Sequence, residues 1–470
     1  MKEIINGNEL FIINSKIIDK IEKEMKENGV SCEKTMKYLN NFNNDNYVEN
    51  DEFFLSEEQN PKIKEILKKN IHVKLLQIRN KLYLNRSEII RNWVDGFDDG
   101  GEDIIYKLQT EFNGAFSEIY LYKVLKMLNF TVDFTEKRPD FYINKNDIKY
   151  IIEVGGSNFA QKDVNKKITD YDRNLKNDNF SLKKPLWKEN EKILLSILNE
   201  SIKRYNIVLK RKHKSYKDGY SKLDHVKNTD FYLLSLISFS QINYGRENHY
   251  GALALFYGKY LQSDRESYIY KDKNRINGIK LNVFNQKNNG KYKYDYLSAV
   301  IFTSKLTLGK VASLAEGSIK KNPNYIFQIY ENLEDKKSEI VSLTNVIPEQ
   351  FFDKALVRTR HERNKENTDY KPENFSKLEK HLKSKKYTDN SHHLMDGLFI
   401  LHNPNAKHKI DMEVFDHPNI VQIYQEKNGE LKFYKNSKTL VSLFDHPWMD
   451  YPNNDPLEFE KEVKRNFNID

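Results

Sequence analysis

The spacing of hydrophobic residues predicts helices in the early part of the chain. Apolar residues recur at three- and four-residue intervals in segments 16–37, 61–93 and 104–128, which places them on one face of each predicted helix. The second helix has Asn60 as a candidate N-cap and Pro61 at its first position, where a missing N–H group is tolerated. We therefore predict a helical N-terminal region.

The hydrophobic spacing changes after residue 130. Short apolar runs at 131–134, 141–143 and 150–154 predict strands, and the polar tetrad 144–147 predicts a tight turn between the last two. The 150–154 run has little polar alternation, which is typical of a central strand that is covered on both faces. Further elements are predicted by the same criteria: a helix at 190–217, strands at 231–239, 296–303 and 397–402, and a charged helix at 354–390.

The order of these elements predicts an α/β fold that is preceded by a helical region. We divide the chain into a helical N-terminal region at 1–104, a core at 105–310 and a C-terminal α/β region at 311–470 that could complete the core.

Composition narrows the class of protein. The chain has 470 residues, of which 38% are hydrophobic and 13% aromatic, so it can bury a core. No window approaches the ~20 apolar residues that span a bilayer, and residues 1–20 lack the continuous apolar stretch of a signal peptide. Cys32 is the only cysteine, which excludes an internal disulfide. We expect a cytoplasmic protein without a membrane partner.

The net charge of +9 is unevenly distributed along the chain. Residues 1–60 contain 7 lysines and 13 acidic residues, a net charge of −6, whereas residues 203–227 contain nine basic and two acidic residues. A concentrated basic segment is typical of proteins that bind polyanions, and a solvated lysine-rich surface is the alternative. The candidate nucleic-acid contacts in this segment are Lys203, Arg204, Lys210, Arg211 and Lys214.

Two acidic residues fall where predicted strands meet. Asp140 and Glu153 are separated by 12 residues, enough for one strand, a turn and most of the next strand, so a hairpin could bring their carboxylates together. Carboxylates suit hard divalent cations such as Mg²⁺, and the carbonyl oxygen of Val154 is a further candidate ligand. A charged Glu153 in a buried strand needs a partner, whereas Asp140, after Pro139, could simply cap a turn.

These residues lie on elements whose order resembles the PD-(D/E)XK nuclease superfamily. The resemblance covers about residues 105–217 and consists of a helix with Glu118, Pro139-Asp140 at a strand start and Glu153 on a buried strand. It implies a restriction-endonuclease-like fold, in which a mixed sheet is flanked by helices and the core runs helix, three strands, helix, strand.

The resemblance also implies a function and a cofactor. The expected activity is metal-dependent hydrolysis of phosphodiester bonds, with double-stranded DNA as the predicted substrate and Mg²⁺ or Mn²⁺ as cofactor. Asp140 and Glu153 would be catalytic and hold the metal, with Glu118 as an auxiliary acid; an ordinary acidic residue on a helix flank is the alternative for Glu118. Restriction or anti-phage defence is the setting that this resemblance implies.

The sequence departs from the family pattern at Gly155, because the family usually has a lysine two residues after the glutamate. Four residues of the predicted helix 190–217 follow one another at intervals of three, four and four: Tyr205, Val208, Lys212 and Tyr216. This spacing predicts that Lys212 lies on the core-facing side and supplies the missing cation. A lysine that extends to solvent is the alternative, and Lys162 and Lys210 are the other candidates for the cation.

Other functions fit the sequence less well. His392, His393, His402, Asn403 and His408 suggest an HNH-type site, but a strand that ends in a tight turn explains the Asn-Pro-Asn segment equally. A binding module is the main alternative: the same fold with a degraded site that grips nucleic acid or a partner without cutting. In a third interpretation the basic surface is a scaffold for another subunit, with the acidic N-terminal region as the contact. A homodimer or a complex with a partner subunit is therefore a further expectation.

Overall fold

A computed structural model describes the fold in two units, Met1–Lys137 and Arg138–Asp470. The described residues are 9–33, 35–37, 39, 61–72, 74–75, 78, 85–98, 103–136, 138–157, 186–239, 248–264, 267–314, 324–334, 338–344 and 393–447.

The first unit is mainly helical. Its elements are α1 (Ser15–Glu27), α2 (Pro61–Asn70), α3 (Asn85–Trp93), α4 (Ile104–Thr110), α5 (Asn113–Met127) and the short strand β1 (Thr131–Asp133). Helix α1 buries Ile17, Ile21 and Met25, which recur at four-residue intervals on one face. The described residues of the predicted region 1–104 are therefore mainly helical.

The predicted helices were too long. Helix α1 ends at Glu27 instead of residue 37, because Gly29 adopts a left-handed conformation (φ 65°) that terminates the helix. The predicted helix 61–93 is divided into α2 and α3, and the predicted helix 104–128 into α4 and α5. Apolar spacing continues across these breaks, so it does not reveal where a helix ends.

The second unit combines strands with helices. Its strands are β2 (Phe141–Lys145), β3 (Ile148–Ser157), β4 (Phe231–Ser238), β5 (Lys259–Asp264), β6 (Ser267–Asp272), β7 (Arg275–Ile276), β8 (Ile279–Lys280), β9 (Lys287–Asn288), β10 (Lys291–Tyr292), β11 (Leu297–Thr303), β12 (Asn324–Asn332), β13 (Ser338–Thr344), β14 (Leu398–His402), β15 (Ile420–Gln425), β16 (Leu431–Tyr434) and β17 (Lys438–Pro447). Its helices are α6 (Leu186–Asp218), α7 (Tyr250–Tyr257) and α8 (Leu308–Leu314).

The main sheet of this unit has the strand order β2-β3-β4-β11-β14-β15-β16. Strands β3, β4 and β11 are parallel, whereas β2 pairs antiparallel with β3 and β14 pairs antiparallel with β11. Every residue of β11 and β14 is buried, as expected of central strands that are covered on both faces. The predicted class, α/β with a large mixed sheet flanked by helices, is confirmed, as are the predicted strands in this sheet.

Helix α6 makes the crossover between the parallel strands β3 and β4. One buried cluster joins Ile202, Tyr205 and Val208 of α6 to Ile151 of β3 and Leu234 of β4. The core of the second unit therefore includes the interface between α6 and the sheet, and this interface positions the candidate site.

Several elements lay outside the predictions. Strands β13, β12 and β17 form a separate antiparallel sheet. Three hairpins, β5–β6, β7–β8 and β9–β10, follow α7 in the chain and precede β11. The predicted helix 354–390 lies outside the described residues. Within the part of the chain that the structure describes, no helix has the length and apolar character needed to cross a bilayer.

Candidate active site

The hairpin of β2 and β3 brings the two predicted acids together. Phe141 pairs with Ile152, so Asp140, immediately before β2, lies beside the middle of β3. The backbone N–H of Val154 donates a hydrogen bond to Oδ2 of Asp140 at 2.6 Å. The N–H and C=O groups of one residue in a strand point towards the same neighbour, so the carbonyl of Val154 faces the side on which Asp140 lies.

The side chain of Glu153 lies on the face of β3 that packs against helix α6. Its side chain is 2% exposed, and its Oε1 forms an ion pair with Nζ of Lys212. The same Nζ is 3.9 Å from Oδ2 of Asp140. The hydroxyl of Tyr220 donates a second hydrogen bond to Oε1 of Glu153, at 3.0 Å. One ammonium group is thus held close to two carboxylates.

Gly155 explains why this cation comes from the helix. A Cβ atom at Gly155 would lie 2.5 Å from Cγ1 of Val208, so a lysine at this position would require Val208 or the helix to shift. The absence of a side chain lets α6 approach β3 closely. Lys212 is one helical turn beyond Val208, and Glu153 is two residues before Gly155, so the same close approach aligns Lys212 with Glu153.

The electrostatics of the site reflect burial. Burial and the nearby Asp140 carboxylate raise the pKa of Glu153, although Lys212 and Tyr220 act in the opposite direction. Burial and the Glu153 carboxylate raise the pKa of Tyr220, which keeps its hydroxyl protonated as a donor. The second carboxylate oxygen of Glu153, Oε2, is buried and has no hydrogen-bond partner among the described residues.

These donors fit a hard divalent cation. Within the described residues there is no group of three or more His, Cys, Asp or Glu side chains that could enclose a metal. Mg²⁺, however, usually keeps several waters and binds through one or two carboxylates together with substrate phosphates. Asp140, Glu153 and the Val154 carbonyl supply such a set, and a cation would satisfy the buried Oε2 of Glu153.

The remaining candidates for the catalytic site are Glu118, Lys210 and Lys162. Glu118 is half-buried on α5 of the first unit, and its auxiliary role stays a prediction. Lys210 is exposed, so α6 directs Lys212 and not Lys210 towards the carboxylates. Lys162 lies outside the described residues.

The predicted nucleic-acid contacts divide into two groups. Lys203, Lys210, Arg211 and Lys214 are exposed on α6. Arg204 is buried, and its guanidinium donates hydrogen bonds to the backbone oxygen and the hydroxyl of Ser157, at 2.9 and 3.1 Å. The prediction of Arg204 as a surface contact was wrong, because its position on the helix turns it towards the end of β3.

Two members of the alternative histidine site, His402 and Asn403, are buried in the core. Nε2 of His402 lies 2.9 Å from Oε1 of Gln422, and burial lowers the pKa of His402. The side-chain amide of Asn403 donates to the backbone oxygens of Tyr294 and Leu297. These internal hydrogen bonds favour the simpler interpretation, a strand that ends in a turn. His392 lies outside the described residues.

Tyr220 was missed in the sequence analysis. Helix α6 ends at Asp218, and the short turn Tyr220–Lys222 follows Gly219. Glycine after a basic, polar helix end indicates a stop, but it does not indicate that the chain turns back to bring Tyr220 to Glu153. This contact joins residues that are 67 positions apart.

We compared the chain with known proteins, and no protein-family model, curated protein or solved structure matches it.

Proposed function

We propose that this protein is a metal-dependent nuclease of the PD-(D/E)XK type that hydrolyses phosphodiester bonds in DNA. The observation that carries the proposal is the position of Lys212, whose ammonium lies beside the carboxylates of Glu153 and Asp140. Two acids and a lysine at one site are the side chains that this reaction requires, although the lysine comes from a helix instead of position 155.

The reaction would proceed by attack of water on phosphorus. The water oxygen forms a new P–O bond and loses a proton to solvent, the ester P–O bond breaks, and the leaving oxygen takes up a proton. A divalent cation, when bound by Asp140, Glu153 and the Val154 carbonyl, would neutralise phosphate charge and promote ionisation of a water. Lys212 would orient the attacking water and stabilise the charge that develops on phosphate oxygens. Tyr220 and Lys212 both bind Oε1 of Glu153, which holds that carboxylate in one orientation.

A basic stripe on α6 supports DNA as the substrate. We define the α6 stripe as Lys203, Lys210, Lys214 and Lys217, which are exposed and follow at intervals of seven, four and three. These intervals place the four lysines on one face of the helix. The stripe spans 15 residues, or about 21 Å, and Lys212 projects from the opposite face of the same helix. Such a stripe suits a phosphate backbone.

Replacing Asp140 by asparagine tests the proposal. Asp140→Asn retains the shape of the side chain but removes a charge that a hard cation needs. We expect Mg²⁺- or Mn²⁺-dependent cleavage of duplex DNA to be lost while DNA binding survives or tightens, since one anion near the phosphate is gone. Asp147→Asn is the matched control, because Asp147 is exposed in the turn at the other end of the same hairpin. Cleavage by Asp140→Asn at the wild-type rate would place the active site elsewhere.

A nucleic-acid-binding module without cleavage is the second candidate. The ion pair of Lys212 with Glu153 favours it, because the chain's own cation already compensates one carboxylate. DNA binding by the wild type without cleavage under any divalent cation tested would support this alternative over the nuclease.

A further inference from the structure

A second group of basic residues lies in the two short hairpins that precede β11. We call β7–β8 and β9–β10 the basic hairpins. Residues 271–293 contain seven basic residues and one acidic residue, Asp272. Asp272 is paired with Lys259 at 2.7 Å, and in the described part of the chain neither Lys287 nor Lys291 forms an ion pair with a carboxylate. Among the described residues, the charges of these two lysines are therefore not paired with a carboxylate.

The segment that follows the β9–β10 hairpin packs on the turn of α6 that carries Lys212. The ring of His213 lies 4.8 Å from that of Tyr294 and 5.4 Å from that of Tyr296, and its Nδ1 is 2.7 Å from the Tyr296 hydroxyl. Tyr294 directly follows Lys293, the residue at which the β9–β10 hairpin returns to the body of the unit. Successive residues of one helical turn thus contact Glu153 and the base of a hairpin.

Positive charges from α6 and from the end of the β9–β10 hairpin both act on His213. Burial, together with the positive charges of Lys217 in the α6 stripe and Lys293 in the hairpin, lowers the pKa of His213 to about 4. The tip of the hairpin is only a few residues away from Lys293, and a strand rises about 3.3 Å per residue. Lys291 is therefore only about 7 Å along the strand from Lys293.

The β9–β10 hairpin has a conformation that can hold its lysines in place. Its turn residues Asn289 and Gly290 have φ values of 50° and 77°, the pattern of a two-residue turn that matches strand twist. The ammonium of Lys287 lies over the ring of Tyr292, 4.9 Å from its centroid. A short, pre-organised hairpin loses little conformational freedom when it binds a ligand.

We propose that Lys287 and Lys291 of the β9–β10 hairpin contact the phosphate backbone of a DNA duplex that also lies along the α6 stripe. The duplex would then be held by two basic elements of the second unit. This inference rests on the proposed function, since it assumes that the site acts on DNA. The hairpin contributes binding and does not touch the reacting phosphate.

The test is the salt dependence of duplex binding by Lys287→Glu/Lys291→Glu, measured without divalent cations so that the DNA stays intact. Each phosphate contact adds ~0.9 to the slope of log affinity against log salt. We expect the variant to lose about 1–2 from this slope and to bind more weakly than wild type. Cleavage at saturating DNA with Mg²⁺ should keep the wild-type rate, so the defect appears in KM and not in kcat.

Two control variants isolate the effect of the hairpin. Lys287→Arg/Lys291→Arg keeps the charge and should bind as wild type. Lys20→Glu/Lys23→Glu changes the net charge equally, but on exposed positions of α1, in the acidic N-terminal region, and should keep the wild-type slope. An equal loss in both reversal variants, or an unchanged slope in the hairpin variant, would overturn the inference while the wild type still binds. A wild-type slope near zero would instead reject DNA as the substrate.

Discussion

At the scale of single residues, Lys212 connects the sequence pattern to the candidate chemistry. Its position in an apolar stripe predicts a side chain that points into the core, and a buried ammonium needs a negative partner. The structure supplies that partner in Glu153, with Asp140 nearby. Lys214 is two residues further along the same helix and is exposed. The two lysines therefore have different surroundings in spite of their proximity in the chain.

This difference gives a prediction for the pair. Lys212→Ala should reduce the rate of DNA cleavage by ~10²–10³, because it removes a positioned donor that stabilises developing charge. Metal binding, followed by titration calorimetry, should persist because the carboxylates remain. Lys214→Ala should leave the rate at saturating DNA almost unchanged. Equal, small effects of both substitutions would mean that Lys212 is not part of the catalytic site.

At the scale of elements, the approach of α6 to β3 determines the site. The helix lies close to the strand because Gly155 has no side chain at the contact with Val208. Lys212 reaches Glu153 from the next turn, so a small displacement of the helix would separate them. The contact between Gly155 and Val208 is thus linked to the position of Lys212 relative to Glu153.

We predict that Gly155→Ala destabilises the protein by about 1–3 kcal/mol, because the added methyl group overpacks the contact with Val208. Val208→Ala in the same chain should relieve the overlap and recover part of this loss. Residues in direct contact show coupling energies of about 0.5–3 kcal/mol. Urea unfolding of both single variants and the double variant measures the coupling. Additive effects would contradict the proposed contact.

The helices and strands also show which features the hydrophobic spacing can predict and which it cannot. The strands β2, β3, β4, β11 and β14 were predicted, because continuous apolar runs bounded by polar turns identify buried strands. The helix ends were not, because the left-handed Gly29 and the interruptions after α2 and α4 do not disturb the apolar spacing. Arg204 was misassigned for a related reason: a basic residue in a basic segment gives no sign that it faces Ser157.

At the scale of the whole molecule, buried amines link the stability of the second unit to pH. Lys305 and Lys310 are buried; the amine of Lys305 donates to Oδ1 of Asn248 at 2.7 Å, and that of Lys310 donates to the backbone oxygen of Asp396. Burial and the like charge of Lys310 lower the pKa of Lys305 to about 7. Burial lowers the pKa of Lys310 to about 8, although the Asp396 carboxylate opposes this.

The sign of the pH effect follows from proton binding. At pH values between these lowered pKa values and the ordinary lysine pKa of 10.5, the two amines bind more protons in the unfolded chain than in the folded protein. The free energy of unfolding therefore rises with pH from about 7 upwards, by up to about 1.4 kcal/mol per pH unit for each amine.

We predict that the wild type resists urea better at pH 9 than at pH 7, and that Lys305→Met reduces this difference by raising stability at pH 7. Methionine fills a similar volume without a charge to bury. Lys427→Met, at an exposed position, should leave the difference unchanged. Parallel pH profiles for wild type and Lys305→Met would show that Lys305 stays protonated in the folded protein.

The sequence by itself determined the α/β class, the hairpin that joins Asp140 to Glu153, and the helix face that carries Lys212. Each of these depends on the spacing of residues along a single element or between neighbouring elements, where the geometry of the helix and the strand is known in advance. The tertiary structure decided that Gly155 admits α6, that Tyr220 bonds Glu153, and that His213 of α6 stacks on Tyr296. These contacts join distant positions, and they form because packing brings side chains together in a way that no local pattern records.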